Sequence, residues 1–306
     1  MLRSKRTIAI LLISLLVVAV VVSLSVGAYP IAPKEVVSIL FSKIGIDTGV
    51  PFEHFAAEAM NNRMSRVLLS ILVGAALAVS GAALQGIFRN PLVDSGLIGI
   101  ASGASFFAAL YILLGSSIPF LLSGNPALTL AFVAFLGAIL TTMLVYRISR
   151  FQQTIQITLL ILAGVALNAI AGSLTGMIQY LADESQLRDL TFWTLGSLGG
   201  ANWTSLAILL PFVAIPMVVL FYQSSALNAF ALGEQSAYFL GINTRKVKLL
   251  TFLSATAMVG ASVSFVGAIG FIGLVIPHIL RALIGPDHRC LLPMSAIAGA
   301  LLLCLS

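Results

Sequence analysis

The sequence predicts an all-α polytopic membrane protein, a multi-span helical bundle, and three observations carry that prediction. Hydrophobic residues fill 59% of the 306 positions and charged residues only 8%, whereas a soluble domain keeps roughly a quarter of its residues charged. The apolar residues gather into about nine runs near the length of ~20 residues that crosses a bilayer. The basic residues between the runs fall mostly on alternate sides. Helices follow from the runs, because only a helix or a closed barrel satisfies its backbone polar groups inside lipid.

The first run, near 7–29, follows Arg3, Lys5 and Arg6. It is longer than a signal-peptide core and lacks a small-residue cleavage site, so it reads as a retained span. Further runs lie near 65–87, 97–115, 126–146, 156–181, 203–222 and 247–268, with a shorter one near 272–284 and a last near 291–306. With the N-terminus in the cytoplasm, eleven basic residues fall inside: Arg3, Lys5, Arg6, Arg89, Arg147, Arg150, Arg245, Lys246, Lys248, Arg281 and Arg289. Five fall outside, Lys34, Lys43, Arg63, Arg66 and Arg188, together with the acids Glu35, Asp47, Glu53, Glu58, Asp183, Glu184 and Asp189. That asymmetry is what the positive-inside rule requires. Residues 1–306 read as one transmembrane domain, which the apolar end at Ser306 suggests is incomplete at its C-terminus.

Glycines are frequent in the spans, and Gly99/Gly103 and Gly172/Gly176 have the spacing that lets helices approach closely in lipid. Two interruptions echo each other. Gly81 to Gly86 leads to Asn90-Pro91 and a new helix, and Gly267 to Gly273 leads to Pro277-His278 and another. Facing opposite sides, they have the pattern of an inverted repeat with broken helices.

Several function classes are excluded or disfavoured. The two cysteines, Cys290 and Cys304, form no CxxC pair, and His54, His278 and His288 are far apart, so no metal site is expected. Pro277-His278 reads as a helix start, and Asp287-His288-Arg289 as a solvated turn. The Gly81–Gly86 spacing resembles a phosphate loop, but Ile87 and Phe88 stand where Lys and Ser or Thr belong. No Asp or Glu sits mid-span to relay a coupling ion. An ion-coupled secondary transporter is therefore the disfavoured alternative, and a membrane hydrolase lacks a nucleophile with its base. A solute passage without its own energy source needs an external motor. The polar insert between the sixth and seventh runs, Leu232 to Gly241 followed by Arg245, Lys246 and Lys248, is either a solvated surface helix or the surface such a motor grips.

Several long blocks in order resemble one family: Arg66 to Gly81, Gln85-Gly86, Asn90 to Asp94, Leu97 to Ala104, Phe192 to Gly200, Leu232 to Gly241, Gly267 to His278 and Gly285 to Arg289. The chain is similar over nearly its whole length to the FecCD-type permeases of bacterial ABC importers for iron-siderophores, haem and vitamin B12. The resemblance implies ten helices per subunit, one more than the runs found here, and two permease subunits around a central path. It also implies two ABC ATPase subunits, which use the ATP and Mg, and an extracytoplasmic substrate-binding protein. It implies no cofactor on this chain, no catalysis by it, no nucleic acid, and a cytoplasmic-membrane location. A ferric siderophore is the expected cargo, with haem or vitamin B12 as alternatives.

The resemblance also carries roles. Residues 225–246 match the family's ATPase-coupling loop, with Leu232, Gly233, Glu234, Ser236, Leu240, Gly241 and Arg245 as its coupling residues, while Lys246 and Lys248 with Arg245 anchor the next span at anionic headgroups. Arg63 and Arg66, otherwise readable as snorkelling side chains, match arginines that dock the binding protein, although Met64-Ser65 between them departs from the family's usual Leu-Pro. Asn168, Ser173, Thr175, Gln179 and Tyr180, with Gln85, match the translocation path; hydrogen bonding between helices accounts for each of them equally well. Residues 183–198 match an outer gate helix.

Overall fold

A computed structural model describes residues 2–43, 45–46, 50–115, 125–151 and 154–306. Asp47 lies outside these residues, as does the side chain of Arg3. The described helices are α1 (Leu2–Ser25), α2 (Pro33–Lys43), α3 (His54–Phe88), α4 (Ile100–Leu114), α5 (Pro126–Ser149), α6 (Ile157–Leu181) and α7 (Glu184–Leu195). They continue with α8 (Trp203–Tyr222), α9 (Ser224–Phe230), α10 (Glu234–Phe239), α11 (Thr244–Val266), α12 (Ile272–Ile284) and α13 (His288–Cys304). A two-residue antiparallel ladder, β1 (Arg150–Phe151) with β2 (Thr154–Ile155), joins α5 to α6.

Among the described residues, α1, α3, α5, α6, α8 and α11 are long and apolar enough to cross a membrane, and α4, α12 and α13 are shorter apolar helices. These coincide with the nine predicted runs. The largest boundary error is at α3, which starts eleven residues before the predicted 65. Its 35 residues rise about 52 Å against a hydrocarbon core of about 30 Å, so the first turns project beyond the apolar layer. There Ala56 and Met60 pack on Val36 and Ile39 of α2, an 11-residue helix too short to cross a bilayer.

The mostly buried α3 is the axis of the bundle, packed against α1, α8, α11, α12 and α13. Two contacts set how closely its neighbours come. A β-carbon placed on Gly74 would lie 2.2 Å from the Gly299 carbonyl oxygen of α13, and one on Gly81 would lie 1.9 Å from the Gly273 carbonyl oxygen of α12. Glycine is needed at both because backbone occupies the space of a side chain. Gly103 likewise meets Gly137 and Thr141 of α5, which accounts for one of the two small-residue pairs. Gly172 and Gly176 on α6 meet nothing within 4 Å among the described residues, so their face is open.

Both predicted interruptions are present. After α3 the chain turns at Arg89 (φ 51°) and returns through a 3-10 turn at Ser95–Ile98, capped by Asp94. After α11 it turns at Gly267 (φ 76°) and Phe271 (φ 66°) before α12. Gly164, in the first turns of α6, packs under Leu97 of the first break. Gly196, beyond α6 and α7, packs on Val266 of the second, so the breaks enter from opposite ends of the bundle.

Pro277 does not start a helix. It lies inside α12, which begins at Ile272, and its missing N–H leaves the Gly273 carbonyl without its i+4 donor. Gln85 of α3 supplies the replacement, its Nε2 donating to Gly273 O at 3.2 Å, while Arg281 Nη1 donates to Gln85 Oε1 at 2.8 Å.

Gly81→Val is therefore expected to destabilise the chain by the upper part of the ~1–3 kcal/mol range for overpacking, because the opposing atom is backbone and cannot rotate away. Gly172→Val should leave the chain's own melting temperature in detergent unchanged. Equal melting curves for the two variants would refute this packing account.

Candidate functional site

One end of the bundle carries α9, α10 and the loop joining α12 to α13. Arg245 and Lys246, exposed at the start of α11, lie at this end, and the charge of Lys5 reaches Asp287, which brings the N-terminus to the same side. In α9 the apolar Leu227 and Phe230 are buried, as is Ala237 of α10. Leu232, Tyr238, Phe239 and Leu240 point outward, Phe239 being 84% exposed. Gly233 (φ 106°) starts α10 and Gly241 (φ 81°) follows it, a left-handed geometry that reverses the chain within a few residues. Six residues of α10 cannot sustain a helix alone. The turns and the buried Ala237 hold it, leaving an apolar knuckle on a basic surface.

Two polar devices brace the knuckle, and both correct the sequence reading. Lys248, expected at lipid headgroups, is buried on α11, and its Nζ lies 2.6 Å from Glu234 Oε1. Glu234 is thus a bracing residue whose removal takes a carboxylate away from a buried cation. The predicted solvated turn at 287–289 is instead a latch. Asn228 of α9 donates from Nδ2 to Asp287 Oδ1 at 2.7 Å, and its Oδ1 accepts from the His288 backbone N–H at 2.8 Å and from His288 Nδ1 at 2.9 Å. The Asp287 carboxylate fixes the amide orientation, so His288 Nδ1 carries the proton. Arg289 Nε adds a bond to Ser225 Oγ at 3.2 Å. Burial alone would raise the Asp287 carboxyl, but the Asn228 and Arg289 N–H donors, with the charges of Lys5 and Arg289, bring it below its ordinary value. The buried His288 ring in turn lies against Gly86 of α3, where a β-carbon would meet Nε2 at 2.6 Å. Asn228 and His288 were missed as a pair because sixty residues separate them. The one available signal was an Asp immediately before an apolar helical run, a helix N-cap pattern.

At the opposite end Arg63 and Arg66 part company. The Arg63 guanidinium donates to Leu24 O at 2.8 Å and Ser25 O at 3.3 Å, and also to Tyr29 O, so it caps the end of α1. Arg66 is exposed and has no hydrogen-bond or ionic partner among the described residues. Asp183 and Gln186 form a capping box at the start of α7, and the Gln186 backbone N–H, then Ser185, hold the Asp183 carboxyl below its usual range.

The expected path residues divide into two groups. Gln85 is 2% exposed and committed to α12, as described above. Asn168 ties α6 to the first break, bonding Ser102 Oγ and Gly96 O. Ser173 and Thr175 bond back to their own helix carbonyls at Ala169 and Ala171. Gln179 is half-buried, while Ser173, Gly176 and Tyr180 belong to the open face of α6.

The latch gives a direct test. Asn228→Asp sets a second carboxylate against Asp287, so amide exchange across 224–230 is expected to quicken by about tenfold, with protection returning as acid lets the pair share a proton. Asn228→Ala should quicken exchange without that pH-dependent recovery. Unchanged exchange in both variants would dismiss the latch.

A family model described as the FecCD transport family matches residues 15–306. The chain is 43% identical over 244 residues to the hemin transport system permease protein HmuU of Yersinia pestis, covering 80% of this chain and 72% of that protein. It is 38% identical over 292 residues to the vitamin B12 import system permease protein BtuC of Citrobacter koseri, covering 95% and 82%. A solved structure assigned to a metal-chelate type ABC transporter in an inward-facing conformation matches with a TM-score of 0.81 at 30% identity, covering 98% of this chain and 88% of that one. With sequence blocks, broken helices and overall architecture all in agreement, the chain belongs to the FecCD transport family of ABC importer permeases.

Proposed function

We propose that this chain is the transmembrane subunit through which an ATP-driven importer moves a metal chelate into the cell by alternating access. The knuckle of Leu232, Tyr238, Phe239 and Leu240 carries the reading. Exposed apolar side chains ringed by polar and basic ones are the composition of a protein interface, where a few buried aromatic anchors supply most of the affinity. The occupant is a cytoplasmic ATPase, one per permease subunit, using its own ATP and Mg. Movement of the knuckle reaches α13 through Asn228 and His288, α3 through Gly86, and α12 through Gln85 and Arg281. The permease itself catalyses nothing.

The open face of α6, with Ser173, Gly176 and Tyr180, faces a second copy or a paralogue across the substrate path. Arg66 meets a carboxylate of the extracytoplasmic binding protein, while Arg63 positions it by holding α1. The N-terminus is cytoplasmic. Similarity to haem and vitamin B12 permeases supports a metal chelate as cargo, with tetrapyrrole chelates ahead of the ferric siderophore expected from sequence.

Phe239→Asp with Leu240→Ser is expected to reduce chelate uptake by at least about tenfold while the permease still accumulates in the membrane. Wild-type uptake in that variant would end the coupling assignment. Charge reversal at Glu234 is unsuitable for this test, because it sets a like charge against the buried Lys248 and disturbs the fold. Arg66→Glu should weaken binding-protein docking by only a few-fold, since exposed pairs contribute about 0–1 kcal/mol, and the effect should fade in high salt. Salt-independent docking would reject that role. Competing uptake of labelled haem, cobalamin and ferric siderophore by cells with and without the gene identifies the cargo.

A further inference from the structure

The groove between α5 and α11 is absorbed by none of these roles. It encloses about 570 Å³ and runs along α5 from Phe135 to Arg150 just beyond the helix end, the α5 part rising about 21 Å. That length matches one bilayer leaflet with its headgroup layer, about 20–22 Å. Its walls include Phe135, Met143 and Leu253, the latter two exposed. Thr142 and Thr256 also line it, but each hydroxyl bonds its own helix, at Ala138 O (2.6 Å) and Phe252 O (2.8 Å), so neither asks for a polar guest. Polarity is concentrated at one mouth, where Tyr146, Arg147 and Arg150 stand, and among the described residues no acidic side chain lines the groove. This mouth lies beside Leu249, one residue beyond the Lys248 that braces the knuckle.

We propose that the groove holds one anionic phospholipid, its acyl chain along α5 and α11 and its phosphate at Arg147 and Arg150. An apolar trough one leaflet long with cations at its headgroup end is complementary to that molecule in both shape and charge. Basic pockets between spanning helices on the cytoplasmic side recognise anionic headgroups in the same way. A second copy of the chain fits the groove poorly, because a two-fold contact would set both arginine pairs against each other. A lipid here adjoins the coupling end, so membrane composition would act on the knuckle through α11.

The test is native mass spectrometry of the purified permease exchanged into equal phosphatidylglycerol and phosphatidylcholine. The wild-type chain should retain phosphatidylglycerol in about tenfold preference. Arg147→Gln with Arg150→Gln should abolish the preference, and Leu253→Trp, which fills the trough, should lower retention of both lipids. An unchanged preference in the arginine variant, or unchanged retention in L253W, overturns the proposal. So does efficient Met143→Cys crosslinking between two copies, which would make this face a subunit interface. Lipid retention is read without ATP or cargo, so a failed importer assignment and a failed lipid site are separable results.

Discussion

A single orphaned carbonyl organises this bundle. Pro277 deprives Gly273 O of its helical donor, and an unpaired backbone oxygen in an apolar interior costs on the order of 1–3 kcal/mol. Gln85 supplies the donor from α3, and it can do so only because Gly81 lets α12 come within backbone contact. Arg281 completes the amide's bonding and finds an acceptor for its half-buried guanidinium in the same contact. Glycine, proline, glutamine and arginine thus answer one requirement, and α3 and α12 cannot separate without exposing it.

That contact also leads to the end of the bundle that carries α9 and α10. Gln85 is followed by Gly86, whose missing side chain admits the His288 ring, and His288 holds Asn228 of α9. The knuckle at Phe239 is therefore tied through few intermediates to the axis of the bundle, while Glu234 and Lys248 tie it to α11. Short chains of buried hydrogen bonds have discrete made and broken states, so a displacement imposed at the knuckle has a defined route inward. Within the proposed importer, this separates residues that touch a partner, which are exposed and apolar, from residues that carry its movement, which are buried and polar.

The outward faces follow the same logic of satisfaction. Arg63 is occupied by the last carbonyls of α1 and Arg66 is not, although three positions separate them on one helix. Gly103 is filled by α5, whereas Gly172 and Gly176 meet nothing among the described residues. The threonines of the α5–α11 groove satisfy themselves, and Arg147 stands exposed at its mouth. At Arg66 and along α6, these open positions lie where another molecule is proposed to sit.

Helix existence, order and the two interruptions were determined by the sequence alone, because span length in lipid and the positive-φ geometry of breaks are local constraints written in consecutive residues. The position of the polar insert that forms α9 and α10 was legible for the same reason. Roles of individual polar side chains were not. Lys248 and the 287–289 turn were read as facing headgroups and solvent, and Gln85 as lining a path or bonding between helices, yet each bonds a partner between 14 and 196 residues away. A polar residue in an apolar run states only that a partner must exist. Which helix supplies it depends on how closely backbones approach, and that distance is decided by tertiary packing.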